Sequence, residues 1–184
     1  FADIEVLRYK VPGFEELSLD QKKLIYYLNE AALQGRDILF DQNGKYNLAI
    51  RQTLEAVYTN FNGDKNSDQF KAFEKYLKQV WFGNGIHHHY AEDKFVPQCS
   101  QDYFKSLMTA VGDEAKCEEL LPVIFDPTFL PQRKSTDKSG DIVAQSAVNF
   151  YEGVTKEEVE KFAKYSAAAK FITRMSEGYD TVVG

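Results

Sequence analysis

Short polar caps followed by apolar residues at three-and-four spacing recur along this chain, and they commit it to a fold built from helices. Ser18-Leu19-Asp20-Gln21 has the form of a capping box, in which the Ser18 hydroxyl accepts from the Gln21 backbone and the Gln21 side chain reaches back. Leu24, Ile25, Leu28 and Ala32 follow at helical spacing, so a helix is expected that closes near Gly35. A second pattern runs through Leu48, Ile50, Leu54, Val57, Tyr58 and Phe61 before Asn62-Gly63. A third starts at Ser67, carries Phe70, Phe73, Leu77 and Val80, and stops at Gly83. Ser100 caps a further helix with Phe104, Leu107, Met108 and Val111, and Cys117, Leu120 and Leu121 give a turn or two more before Pro122. Thr155-Lys156-Glu157-Glu158 is another capping box, and its helix is expected to run through Val159, Phe162 and Ala163 and on over Ala167 to Phe171 and Ile172.

Two stretches read differently. Ile4, Val6 and Val11 alternate roughly with charged residues and stop at Pro12-Gly13, which predicts one short amino-terminal strand. Residues 122–140 hold Pro127, Pro131 and a polar run and read as an exposed loop. The expected fold class is mainly α with minor β. With 184 residues, 43% hydrophobic and 27% charged, the chain suits a single helix-rich domain, 1–184. Its 14 Phe and 11 Tyr against one Trp imply either a bulky core or an apolar surface meant to be covered.

Charge and cysteine content exclude several function classes. A net charge of −6 without a basic stripe speaks against a nucleic-acid partner, because phosphate binding needs clustered positive charge. The apolar run near Leu120 is broken by Pro122 and Asp126, far short of the roughly 20 residues that span a bilayer, so no membrane partner is expected. Cys99 and Cys117 read as free thiols in preference to a disulfide. The chain starts at Phe1, without a visible signal peptide, so it is expected to begin inside a longer reading frame or after processing, and to be soluble and cytoplasmic in preference to periplasmic.

All three histidines stand together as His87-His88-His89. In an extended segment neighbouring side chains point to opposite faces, so only His87 and His89 could share an ion, and the i, i+4 spacing of helical zinc ligands is missing. Hydrogen-bonding imidazoles in a loop, or one or two of them lining a polar cleft, are the alternatives. No Gly-x-Ser-x-Gly elbow, phosphate-binding loop or dinucleotide fingerprint occurs. No catalytic residue and no metal ligand is therefore assigned within the chain.

Several segments carry a family resemblance. Leu7-Arg8-Tyr9, Val11-Pro12-Gly13-Phe14, Ala31-Ala32-Leu33-Gln34-Gly35-Arg36-Asp37-Ile38, Asp41-Gln42-Asn43-Gly44-Lys45-Tyr46-Asn47, Asn84-Gly85-Ile86-His87-His88-His89-Tyr90, Lys94-Phe95-Val96-Pro97, Pro122-Val123-Ile124-Phe125-Asp126-Pro127 and Tyr151-Glu152-Gly153-Val154-Thr155 occur in that order. Together they resemble bacterial dipeptidyl-peptidase III sequences, from residue 1 to about residue 163. The resemblance implies a two-lobed zinc hydrolase, a metallopeptidase that releases dipeptides from the free amino end of oligopeptides with a zinc-bound water and a glutamate base. It implies that this chain belongs to the lower, substrate-binding lobe. The family's His-Glu-x-x-Gly-His type of zinc motif is absent here, since no His is followed by Glu. Zinc is thus expected in the intact parent and no cofactor in this chain, which alone should be inactive. The implied partners are an oligopeptide substrate and the remainder of the parent chain.

In that family the segment similar to Lys94-Phe95-Val96-Pro97 runs along the substrate cleft, so Phe95 carries over as a peptide-contacting aromatic; a core Phe beside Pro97 suits the residues equally. Asn84, His87 and Tyr90 on the same segment are carried over as polar contacts to a peptide. Residues 164–184 depart from the pattern. Lys170-Phe171-Ile172-Thr173-Arg174-Met175 and Glu177-Gly178-Tyr179-Asp180-Thr181-Val182-Val183-Gly184 are similar to the stretch before the signature motif of ATP-binding-cassette nucleotide domains, but no such motif follows and ATP binding is not implied. The reading from a different class is a non-catalytic helical module that binds peptides or a protein. A parent frame continuing into a His-Glu zinc motif separates the two.

Overall fold

The computed structural model describes residues 2–137, 139–151 and 153–181. Phe1, Lys138, Glu152 and residues 182–184 lie outside the described residues, and Glu152 and residues 182–184 belong to segments quoted above. The chain is mainly α, with α1 (Leu19–Gln34), α2 (Arg36–Asn43), α3 (Asn47–Asn60), α4 (Asp68–Gly83), α5 (Gln101–Ala110), α6 (Cys117–Phe125), α7 (Ile142–Gln145), α8 (Lys156–Tyr165) and α9 (Ala169–Ile172) in order. No helix among the described residues is long and apolar enough to cross a membrane.

The caps act as their residue types dictate. Ser18 Oγ accepts from Gln21 N at 3.3 Å while Gln21 Oε1 accepts from Ser18 N at 2.9 Å, which satisfies two of the donors that a helix start leaves open. Ser67 accepts from Phe70 N and Ser100 from Tyr103 N, each at 3.2 Å. Thr155 and Glu158 close the second full box, at 3.3 and 2.9 Å.

The core lies between α3, α4, α5 and α6. Ile50, Leu54, Val57, Phe73, Leu77, Val80, Phe104 and Leu107 are fully buried within it. An aromatic chain threads the four elements: Phe61 to Phe70 at 5.4 Å, Phe70 to Phe73 at 5.4 Å, Phe73 to Phe104 at 5.7 Å and Phe104 to Phe125 at 5.5 Å between centroids. Spacings of this kind put ring edges and faces together and add to simple area burial.

Four expectations are corrected. Residues 4–11 form no strand; a strand needs an edge to pair with, and among the described residues there are only two isolated bridges, His87 with Lys94 and Asp93 with Gln132. α2 was not anticipated. Gly35 keeps helical angles (φ −77°, ψ −4°), so the chain re-enters a helix at once, and Phe40 is buried under the Arg51 guanidinium at 4.8 Å. α6 runs through Pro122 instead of stopping before it. An interior proline costs about 3 kcal/mol, which burial of Leu120, Leu121, Val123 and Ile124 offsets. The helix from Thr155 stops at Tyr165, with Ala167 left-handed (φ 62°), and resumes only as the single turn of α9.

Candidate functional site

The strip after α4 is positioned by the way that helix ends. Asn84 takes the left-handed conformation (φ 50°), and Gly85 N returns to Val80 O at 3.1 Å, which turns the chain out of the helix. Gly85 has φ +149°, and a side chain there would strike Asn47 Nδ2. Only glycine admits this approach, through which the buried Asn47 Oδ1 accepts from Ile86 N at 3.2 Å. The chain then folds back on itself. Phe95 N donates to Ile86 O at 2.8 Å and His88 N to Asp93 O at 2.7 Å, while Lys94 N donates to Pro131 O at 3.1 Å and Arg133 N to Glu92 O at 3.0 Å.

Charged groups fasten this hairpin to the loop beyond α6. Arg133 grips Glu92 with Nη2 at 2.6 Å and Nε at 2.8 Å, and this pairing holds the Glu92 carboxyl below the usual carboxylate range. Lys94 Nζ donates to Asp126 O at 2.6 Å and Phe129 O at 2.7 Å, and burial brings its ammonium down to about 8.

The three histidines part ways. His87 is 1% exposed; its Nε2 meets Leu130 O at 2.8 Å and therefore carries the proton, while Nδ1 is buried without a partner. Burial holds the His87 ring below its ordinary pKa, with the Leu130 carbonyl opposing, so the imidazole is neutral. His88 Nδ1 accepts from Tyr90 N at 3.1 Å and Ala91 N at 3.0 Å, which leaves Nε2–H to donate to Asp3 Oδ2 at 3.2 Å. His89 is exposed and stacks on His88 at 4.7 Å.

Beside the hairpin lies a cleft of about 410 Å³, lined by Asp3, Gln79, His88, Asp93 and Phe95 among others. Of the residues carried over from the resemblance, Phe95 reaches this wall. It is 8% exposed, packed against the Gly83 backbone and edge-on to His88 at 5.9 Å, so it serves the core and the cleft together. Asn84, His87 and Tyr90 do not line it. Asn84 is part-buried and its carbonyl accepts from Asn43 Nδ2 at 3.0 Å, His87 faces inward, and Tyr90 stands 83% exposed against His89. Asp3, Gln79 and Asp93 are the residues of this wall that sequence reasoning missed, while His88 was read only as one of a cluster with one or two members lining a polar cleft. Alternation along the strip would have put His88 opposite His87, but nothing in the sequence ties Asp3 to a histidine 85 positions away.

Among the described residues at this cleft, no nucleophile stands paired with a base. His88 has one ring nitrogen donating toward Asp3 and the other accepting from two backbone amides. Cys99 and Cys117 are free and buried, and desolvation pushes the Cys99 thiol up to about 11. Zinc needs at least three protein ligands, and the described residues bring no three His, Cys, Asp or Glu together, so they do not fit that metal. A second hollow of about 400 Å³ lies between Tyr46, Phe129, Val143, Ala147 and Thr155. No protein-family model matches this chain, and no curated protein matches it either.

Proposed function

We propose that this chain is the amino-terminal portion of a zinc-dependent dipeptidyl peptidase of the dipeptidyl-peptidase III type, and that it supplies part of the wall against which the peptide lies. The metal and the glutamate base belong to the remainder of the parent. The observation that carries this reading is the cleft beside Phe95, lined by Asp3, Asp93, Gln79 and an aromatic ring, with Lys75 and Lys94 also on its wall and their ammonium groups turned to Gln98 Oε1 and to the Asp126 and Phe129 carbonyls. Carboxylates suit a free ammonium and amides suit a peptide backbone, while an aromatic wall takes an apolar side chain. The ordered run of family-like segments supplies the reaction class. Two buried free thiols agree with a reducing compartment, and we assign the chain to the cytoplasm.

The test is a titration of the isotope-labelled chain with a pentapeptide bearing a free amino end and with its N-acetylated form, beside an assay for dipeptide release. The expected result is shifts at Gln79, His88 and Phe95 that weaken on acetylation, with no hydrolysis. Hydrolysis by this chain alone overturns the placement of the metal elsewhere. Equal binding of both peptides, or none, overturns the peptide wall.

A further inference from the structure

The loop beyond α6 closes against the hairpin after α4 at a buried histidine. His87 is 1% exposed, and its Nε2–H donates to Leu130 O at 2.8 Å. Nδ1 is buried and meets no partner among the described residues. Leu130 stands in the left-handed region (φ 50°), which a bulky side chain adopts only at a cost, so its place depends on the ties around it. Those ties are polar. Lys94 N donates to Pro131 O at 3.1 Å and Arg133 N to Glu92 O at 3.0 Å, while Lys94 Nζ holds the Asp126 and Phe129 carbonyls. Residues 126–129 and Pro131 are exposed, so little burial backs these ties. The closure also joins the two hollows: Phe129 and Leu130 line one with Tyr46, and Asp93, Lys94 and Phe95 line the other.

A further proton can enter His87 only at Nδ1, because Nε2 already carries one. There it adds a charge to a buried site and a donor with no acceptor. The charged groups facing the ring come from both sides of the closure. Lys94 on the hairpin and Arg133 on the loop oppose a second positive charge, whereas Glu92, paired with Arg133, favours it. Burial of the ring is the largest influence and sides with Lys94 and Arg133. Glu92 is held below the usual carboxylate range and Lys94 titrates at about 8, so both keep their charges between about pH 6.5 and 5. We propose that residues 126–133 form an acid-released clasp, held against the hairpin by neutral His87 and let go when a proton enters at Nδ1. In the open state both ring N–H groups reach water and Leu130 leaves the left-handed region. Release takes Phe129 and Leu130 from the wall of one hollow and loosens the Phe95 side of the other. The clasp stands apart from the peptidase reading and is tested without a peptide.

The experiment is native-state amide exchange, followed by NMR from about pH 7 to about pH 5 with and without low urea. Protection at Lys94 N and Arg133 N, corrected for the intrinsic rate at each pH, is expected to fall by up to about tenfold per pH unit below about pH 6.5. It should fall through an opening that urea leaves unchanged, whereas Leu77 and Val80 in α4 exchange through a urea-sensitive global opening. In His87→Gln, whose side-chain amide can still donate to Leu130 O but takes no proton, the fall is expected to vanish. No fall in the unsubstituted chain, a fall that survives His87→Gln, or protection at both sites as high and as urea-sensitive as in α4 overturns the clasp. Should His87→Gln not fold, the ring signals of His87 in the unsubstituted chain decide. Proton uptake in step with the loss at Lys94 and Arg133 supports the clasp, and a protonated ring with both amides still protected overturns it.

Discussion

Helices α1 and α4 are alike in the features that make a helix and opposite in what the helix does. Each has 16 residues, starts at a serine whose hydroxyl accepts a first-turn amide, and is rich in aromatic and aliphatic side chains. α4 buries Phe70, Phe73, Tyr76, Leu77 and Val80, whereas α1 buries nothing. The difference is angular. The buried apolar residues of α4 share one side, against α3 and Phe104 of α5, with Phe82 46% exposed on the other side, while the apolar residues of α1 divide between two exposed sides. Local capping and propensity therefore determine that a helix forms, and the number of apolar stripes determines how many neighbours it needs.

The contrast can be broken most sharply by truncation. Phe73→Ala is expected to lower the unfolding free energy by about 3–5 kcal/mol, and Leu28→Ala in the isolated chain by less than about 0.5 kcal/mol, measured by urea denaturation. Equal losses would mean that α1 is packed in solution. Next in size, Asn47→Ala leaves the buried Ile86 amide without its acceptor and should cost about 1–3 kcal/mol in the same measurement. A neutral result there would remove Asn47 as the tie between α3 and the candidate strip.

Removing a cap should cost about 1 kcal/mol at Ser67, whose helix is packed. Ser18→Ala should leave the denaturation midpoint in place and reduce far-ultraviolet helical ellipticity only. A shared drop in midpoint would tie α1 to the core.

Acid supplies the smallest effect, and it acts on the packed side. His87 is held neutral with a lowered folded pKa, so the unfolded chain takes the proton first. Its stabilisation is present above the ordinary histidine value near pH 6.5 and is lost as pH falls through and below it. Glu92 is also held low, so its contribution is present above the ordinary glutamate value near 4.3 and is lost as pH falls toward the folded pKa. Denaturation midpoints followed from neutral to acid should flatten in the upper window for His87→Gln and in the lower for Arg133→Gln. Unchanged curves would mean that neither group differs between the folded and unfolded chains.

Much of the helical outline was legible because caps and apolar spacing are local. Ser18, Ser67, Ser100 and Thr155 each mark the start of an observed helix. The strip after Gly83 was legible as a bend from its glycines. The residues facing the hollow were not, since Asp3, Gln79 and Asp93 come from separate parts of the chain. α2 went unseen because Gly35 reads as a stop in sequence while its backbone angles are helical.

The sequence by itself determined where the helices capped by Ser18, Ser67, Ser100 and Thr155 begin, and that the chain is mainly α. Only the tertiary structure decided that His87 points inward and His88 to the cleft, that Phe95 closes over Gly83, and that α1 stands uncovered. The physical reason is range. A cap is satisfied within four residues of itself, whereas burial, ring tautomer and the walls of a cleft depend on groups brought together from 40 or more positions apart, as Leu130 is brought to His87.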